Sequence, residues 1–186
     1  MIDAQKNGII KNAKIRLVIS SNPNAYALER AKENGIPCKV ISKKEFKTTE
    51  KAEKEIIKTL EDYGIELIVL AGYMQVLSEN FTKRFEKRII NVHPSLIPSF
   101  CGDGFYGLHV HEAAIKKGVK VTGATVHFVN EITDGGEIIM QKAVKVLKRD
   151  TPETLQKRVM QLAEWKILPR AVEKISKEII KGREKR

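Results

Sequence analysis

Short apolar runs alternate along this chain with segments of helical spacing. KIRLVIS (14–20) is the first such run, and it breaks at SNPN, a cluster of turn-forming residues. AYALERAKENG (25–35) spaces its apolar residues three and four apart, which predicts a helix that stops at Gly35. PCKVIS (37–42) predicts a short strand, and EKAEKEIIKTLEDYG (50–64) a helix closed by Gly64. IELIVLAG (65–72) is apolar at nearly every position, as in a strand covered on both faces. A helix over about 75–87 and a strand over RIINVH (88–93) follow. This alternation predicts an α/β fold with a doubly wound, mostly parallel sheet. Beyond residue 120 the pattern changes. TGATVHFVN (122–130) and GEIIMQKAVKVL (136–147) flank EITDG, which predicts an antiparallel hairpin with Asp134 in its turn. Thr151-Pro152 reads as an N-cap followed by a first-turn proline, and the chain is expected to end in one or two helices separated near Pro169. With no repeat, low-complexity stretch or linker, residues 1–186 are read as a single domain.

Composition narrows the function classes. Hydrophobic residues make up 42% of the 186, enough to build a core and to set wholesale disorder aside. No apolar run reaches the length of a membrane span, and MIDAQKNG lacks the apolar centre of a signal peptide. The two cysteines, Cys38 and Cys101, form no CxxC pair. A disulfide scaffold or thiolate zinc site is therefore not expected, and a cytoplasmic location is. The net charge of +11 raises the question of nucleic acid. However, in KTTEKAEKEIIKTLED (47–62) the lysines interleave with glutamates, as on a solvated helix face, and aromatics are only 6%. No nucleic-acid or membrane partner is expected; the positive field suits small phosphorylated or polycarboxylate substrates.

Ligands of such sheets bind beyond the carboxyl ends of the strands, where Gly72 and Asn91–His93 fall. Imidazole exchanges protons near neutrality, asparagine can donate a hydrogen bond to a developing oxyanion, and a carboxylate can orient the ring and favour its protonated form. Asn91, His93 and Asp134 together would suit attack of a nitrogen nucleophile on a carbonyl carbon. No G-x-S-x-G turn offers a covalent nucleophile. The alternative is a structural histidine and a turn aspartate. His127, inside a predicted strand, reads as a core or sheet-face residue. His109 and His111 lack a third metal ligand, so no metal is expected, and Met160 and Trp165 read as packing residues.

NVHPSLIPSF, GLHVHEAA and GATVHFVNEITDGGEIIMQKAVKV, with SNPNAYALERAKENGI, LAGYMQVLS and AEWKILP, resemble the phosphoribosylglycinamide formyltransferase family over nearly the whole chain. N-x-HPS with a later D-x-G also marks the wider group of formyl-tetrahydrofolate transferases. The resemblance implies transfer of formyl from 10-formyltetrahydrofolate to the amine of 5-phosphoribosylglycinamide in de novo purine (IMP) biosynthesis, by a monomer or homodimer without metal. It implies His93 as general acid, Asn91 as oxyanion donor and Asp134 as the carboxylate that raises the histidine pKa. The folate would lie along Met74, Gln75, Val76 and Leu77 and along Asn130, Glu131, Ile132, Thr133 and Asp134, beside Asn91. Pro94 would shape the pocket, and Glu164, with Gln161 nearby, would hold the glycinamide amine. Other formyl-folate chemistry, such as hydrolysis, and an inactive folate-binding remnant are the alternatives.

The chain departs from the family pattern in three places. MIDAQKNGII matches only the end of the helix after the family's opening strand and phosphate loop, so KIRLVIS or IELIVLAG is expected to show an unpaired edge. Gln75 and Thr49 stand where the family often has arginines near the folate. SFCGDGFYG (99–107) is longer than the shortest family versions, and its glycines make it a candidate flap.

Overall fold

The computed structural model describes residues 1–73 and 75–185, with Lys43 described by its backbone alone. The α/β alternation is present. In chain order it runs α1 (Ile2–Lys6), β1 (Val18–Ser20), α2 (Tyr26–Glu33), β2 (Cys38–Val40), α3 (Lys43–Phe46), α4 (Thr49–Asp62), β3 (Ile68–Leu70), α5 (Glu79–Arg84) and β4 (Ile89–His93). There follow α6 (Leu108–Lys117), β5 (Val121–Phe128), β6 (Ile138–Lys145), α7 (Pro152–Val159), a π-helical turn (Met160–Glu164) and α8 (Trp165–Glu184).

The strands form two sheets. β1 and β2 pair in parallel, and separately β3, β4, β5 and β6 hydrogen-bond in that order. β3 and β4 are parallel, whereas β4–β5 and β5–β6 are antiparallel, so the larger sheet is mixed. The hairpin of β5 and β6 around Asp134 is as the alternation predicts. An unpaired edge is expected at β1 or β3 and is present at both: among the described residues β1 has a neighbour only in β2, and β3 only in β4. The consequence appears in burial. Ile89 and Ile90 of β4 are fully buried, while Ile68, Val69 and Leu70 of β3 are only half-buried despite an equally apolar sequence.

Strand alternation sends successive side chains of the larger sheet into two layers. Ile90, Ala124, Val126 and Val144 pack with Leu155, Val159, Ala163, Ile167 and Ala171 of the C-terminal helical segment. Ile89 and Ile68 pack on the other side with Leu60 of α4 and Phe81 of α5. α4 begins at Thr48, whose hydroxyl accepts the Lys51 N–H, and closes through Gly64 at φ +60.

Two boundaries differ from the sequence reading. The helix expected over 75–87 starts at Glu79, because Ser78 is its N-cap: the hydroxyl accepts from Phe81 N–H and is itself held by buried Glu53. Pro169 does not separate the terminal helices. It lies inside α8, and the break is the π-helical turn 160–164. The wider turn resets the hydrogen-bond ladder before a residue that has no N–H to give it.

Candidate active site

β4 and β5 build the site through their register. Asn91 stands opposite His127, and His93 opposite Thr125. Residues two apart on a strand share a face, so these four side chains occupy one patch, while Ile90, Val92, Ala124 and Val126 point into the core. Pairing with β6 shifts at Val126/His127, a bulge-type irregularity of the kind that re-aims side chains beside functional sites.

After β5 the chain turns back and carries Asp134 to the patch. Asp134 adopts φ +55, a left-handed conformation that aspartate tolerates better than most residues. Its Oδ2 lies 3.3 Å from His93 Nδ1 and accepts the Gly102 N–H at 2.9 Å, and its Oδ1 lies 3.5 Å from His127 Nε2. His127 Nε2 is also 3.4 Å from Asn91 Nδ2. The structure thus brings Asn91, His93 and Asp134 together and adds His127, which the sequence alone places in the core or on the sheet face. His127 sits in both: it is almost fully buried, and its ring edge faces the site. The chain turns closely here. A Cβ on Gly136 would fall 1.8 Å from the Phe128 carbonyl oxygen, so this approach requires glycine.

The loop after His93 is clamped from β5. The Thr125 hydroxyl donates to Ser95 O (2.7 Å) and accepts from Ile97 N–H (3.1 Å), and the Ser95 hydroxyl donates to Ser99 O (2.5 Å). This fixes half-buried Pro94 behind the ring. The loop 99–107 then crosses the patch, with Phe100 O 2.8 Å from His93 Nε2 and Gly102 N–H on Asp134. A carbonyl only accepts, so Nε2 carries hydrogen in this arrangement.

Both nitrogens of His93 therefore face acceptors, which favours the imidazolium. Burial opposes this and is the larger influence: it holds the His93 pKa below the usual value, against the upward pull of Phe100 O and Asp134. Asp134 pulls in the expected direction, upward, and burial outweighs it. For Asp134 itself burial pushes up, yet hydrogen bonds from His127 and Gly102 and the field of the two rings together hold it below the ordinary carboxylate range. His111, on α6, is fully buried, neither ring nitrogen is hydrogen-bonded among the described residues, and burial with the nearby His93 pushes it down to about 4. It is therefore neutral near pH 7.

The two segments expected to flank a folate, 74–77 and 130–134, adjoin one apolar cluster. Leu77 and Val129 pack in one apolar cluster with Ile89 and Tyr73. Val76 and Ile132 are large apolar side chains left 67% and 61% exposed, which suits a flat apolar ligand more than water. Gln75 is half-buried, Glu131 and Thr133 are exposed, and the Asn130 side chain accepts from Ile132 N–H. Met74 lies outside the described residues. Glu53 anchors this side by accepting from Ser78 N–H at 2.8 Å. Its 5% exposure contrasts with the solvated face expected for that helix.

Glu164 ends the π-helical turn, which packs against β5 and β6. Burial pushes its carboxyl up to about 7, and it makes no hydrogen bond or ion pair among the described residues. Gln161, three residues earlier, is exposed. Trp165 is 59% exposed and so is not the packing residue expected. Among the described residues no group of three His, Cys, Asp or Glu could hold a metal ion, and no helix is long and apolar enough to cross a membrane.

A formyl transferase family profile matches residues 1–172. The chain belongs to the formyl transferase family. Among its relatives is the chloroplastic phosphoribosylglycinamide formyltransferase of Arabidopsis thaliana, 38% identical over 93% of this chain and 59% of the relative. The phosphoribosylglycinamide formyltransferase of Haemophilus influenzae is 41% identical over 91% of this chain and 76% of its own length. The crystal structure of the Bacillus halodurans phosphoribosylglycinamide formyltransferase superposes with a TM-score of 0.85 at 37% identity, covering 94% of this chain and 86% of that one. The chain thus spans about six-tenths of the Arabidopsis relative's length.

Proposed function

We propose that the chain transfers a formyl group from 10-formyltetrahydrofolate to the amine of 5-phosphoribosylglycinamide, a step of de novo purine synthesis. The observation that carries this reading is the convergence of Asn91, His93 and Asp134, with separations of 3.5 Å or less to a shared carboxylate or ring, at the carboxyl end of β4. Family membership supports the reaction class, and the names of the relatives support the acceptor.

The amine nitrogen attacks the formyl carbon, and an oxyanion develops on the formyl oxygen. The Asn91 carboxamide donates a hydrogen bond to it without adding a titrating group. The bond from the formyl carbon to folate N10 then breaks, and N10 leaves with the proton that His93 supplies. The proton lost by the attacking nitrogen returns to the neutral imidazole or to water. His93 is suited to this because its ring lies between acceptors that stabilise the charged form, while burial keeps the proton transferable. Asp134 fixes the ring through Nδ1. Glu164, poised near 7, accepts a hydrogen bond from the amine, and Gln161 flanks it. Val76, Leu77 and the 130–134 turn, with Gln75 beside them, cover the pterin; Pro94 walls the pocket. Residues 1–186 act as one domain, since Ala4 and Val172 share one apolar cluster.

The test is incubation of the chain with both substrates and mass spectrometry of the products. Formylated glycinamide ribonucleotide in step with tetrahydrofolate supports the reading. Formate in its place would make the chain a hydrolase, and no turnover would reject both.

A further inference from the structure

On the proposed function the folate is covered in part by residues 75–77, which belong to no strand or helix. We propose that Glu53 is a positioning residue for the formyl donor: through Ser78 it fixes residues 75–77, and so sets the affinity for the folate and not the rate of transfer. This inference rests on the formyl-transfer reading.

The argument starts on α4. Ile56, Ile57 and Leu60 lie three, four and seven residues after Glu53, which places all four on one face of the helix. The three apolar residues pack in the cluster that also holds Leu77, Phe81 and Ile89. Glu53 is therefore an acid on an apolar face, and it is 5% exposed. A carboxylate in such a place is costly unless its oxygens are hydrogen-bonded. One residue satisfies both. Oε1 accepts the Ser78 N–H at 2.8 Å, and Oε2 accepts the Ser78 hydroxyl. Glu53 makes no ion pair among the described residues. The Ser78 hydroxyl accepts in turn from the Phe81 N–H at 3.2 Å, so the same contact starts α5.

Ser78 is the residue on which 75–77 ends. Leu77 is 9% exposed and packs inward, whereas Val76 is 67% exposed. With Ser78 tied by main chain and side chain, and Leu77 in the core, Val76 is left facing outward. Tyr73, before the segment, packs in the same cluster, and burial, with the Glu53 carboxylate adding to it, pushes its hydroxyl above the usual pKa. Glu53 thus borders the segment on both sides. A segment that is ordered only part of the time lowers apparent affinity by that fraction, and Glu53 supplies the order before the ligand arrives. Packing alone would be met by a leucine at position 53, and that substitution separates the two roles.

Two measurements on the full chain test this. The first is calorimetry with a folate analogue. Glu53→Leu is expected to raise Kd about tenfold or more, the scale of losing hydrogen bonds to a charged group. Glu53→Gln keeps one acceptor oxygen and is expected to fall between Glu53→Leu and the parent; it decides the matter alone if Glu53→Leu does not fold. Because Glu53 and Ser78 act as one contact, Glu53→Gln and Ser78→Ala together are expected to cost less than the product of their separate effects. Unchanged folate affinity, even with a lowered melting temperature, would overturn the proposal, as would losses that multiply. The second is steady-state formyl transfer. The donor KM is expected to rise with kcat and the acceptor KM within a few-fold of the parent. A fall in kcat with the donor KM unchanged would overturn the proposal. Binding of the analogue without formyl transfer in the unsubstituted chain would reject the functional reading, while calorimetry would still decide the role of Glu53. No binding at all would reject both.

Discussion

His93 is held by a carbonyl on one nitrogen and a carboxylate on the other, and burial outweighs both. Asp134→Asn tests the coupling cleanly, because asparagine also tolerates the φ of +55 at that position. Loss of the negative charge removes an upward pull, so the His93 pKa falls further. With His93 as the acid, activity is lost as pH rises through that pKa, and the alkaline limb of the pH–rate profile is expected to move to lower pH. A profile that does not move would uncouple the two residues. Glu164 gives a second test, on stability. Its folded pKa of about 7 is raised from an ordinary 4.5 by burial. Between those values the folded chain holds a proton that the unfolded chain has released. Stability therefore falls as pH rises from 4.5 to 7, by up to about 3 kcal/mol. Glu164→Gln cannot ionise and avoids the loss. The variant is expected to melt higher than the parent at pH 8 and equally at pH 4. Parallel melting curves at both pH values would show that Glu164 is not desolvated.

At the scale of elements, β4 and the β5–β6 hairpin were legible because alternation and a turn signal mark them without help from distant residues. Asn91, His93 and Asp134 could be singled out for the same reason: each sits at a strand end or turn. His127 could not. Its place at the site depends on pairing with Asn91 across 36 residues, and register is a property of the folded sheet. Glu53 was hidden because a helix with charges all round gives no sign of which one faces inward. The π-helical turn has no periodic signature, so the sequence points to Pro169 as the break. β1 shows the limit of apolar pattern. KIRLVIS reads as seven strand residues, but only Val18–Ser20 pair, and Ile15 N–H bonds instead to the Gln5 side chain. A strand with one neighbour opens more readily than one with two. Amides of the β1–β2 pair are accordingly expected to exchange with solvent faster than those of residues 89–93 and 122–127. Equal protection, read by hydrogen–deuterium exchange, would mean that the two sheets open as one unit.

The whole molecule places a small polar patch between two apolar layers and at the carboxyl end of a strand, the place where α/β sheets bind ligands. The net charge of +11 favours anionic ligands without fixing their position. On the proposed function, position comes from the patch and from the two segments 75–77 and 130–134. The central claim is that His93 supplies the proton for formyl transfer there. It is tested most directly by steady-state transfer from 10-formyltetrahydrofolate to 5-phosphoribosylglycinamide in the full chain and in His93→Ala, with folate-analogue affinity measured by calorimetry on both. Loss of a general acid lowers turnover by about 10²-fold or more, and that loss, with folate affinity retained, is the expected result. Turnover within a few-fold of the parent would contradict the account.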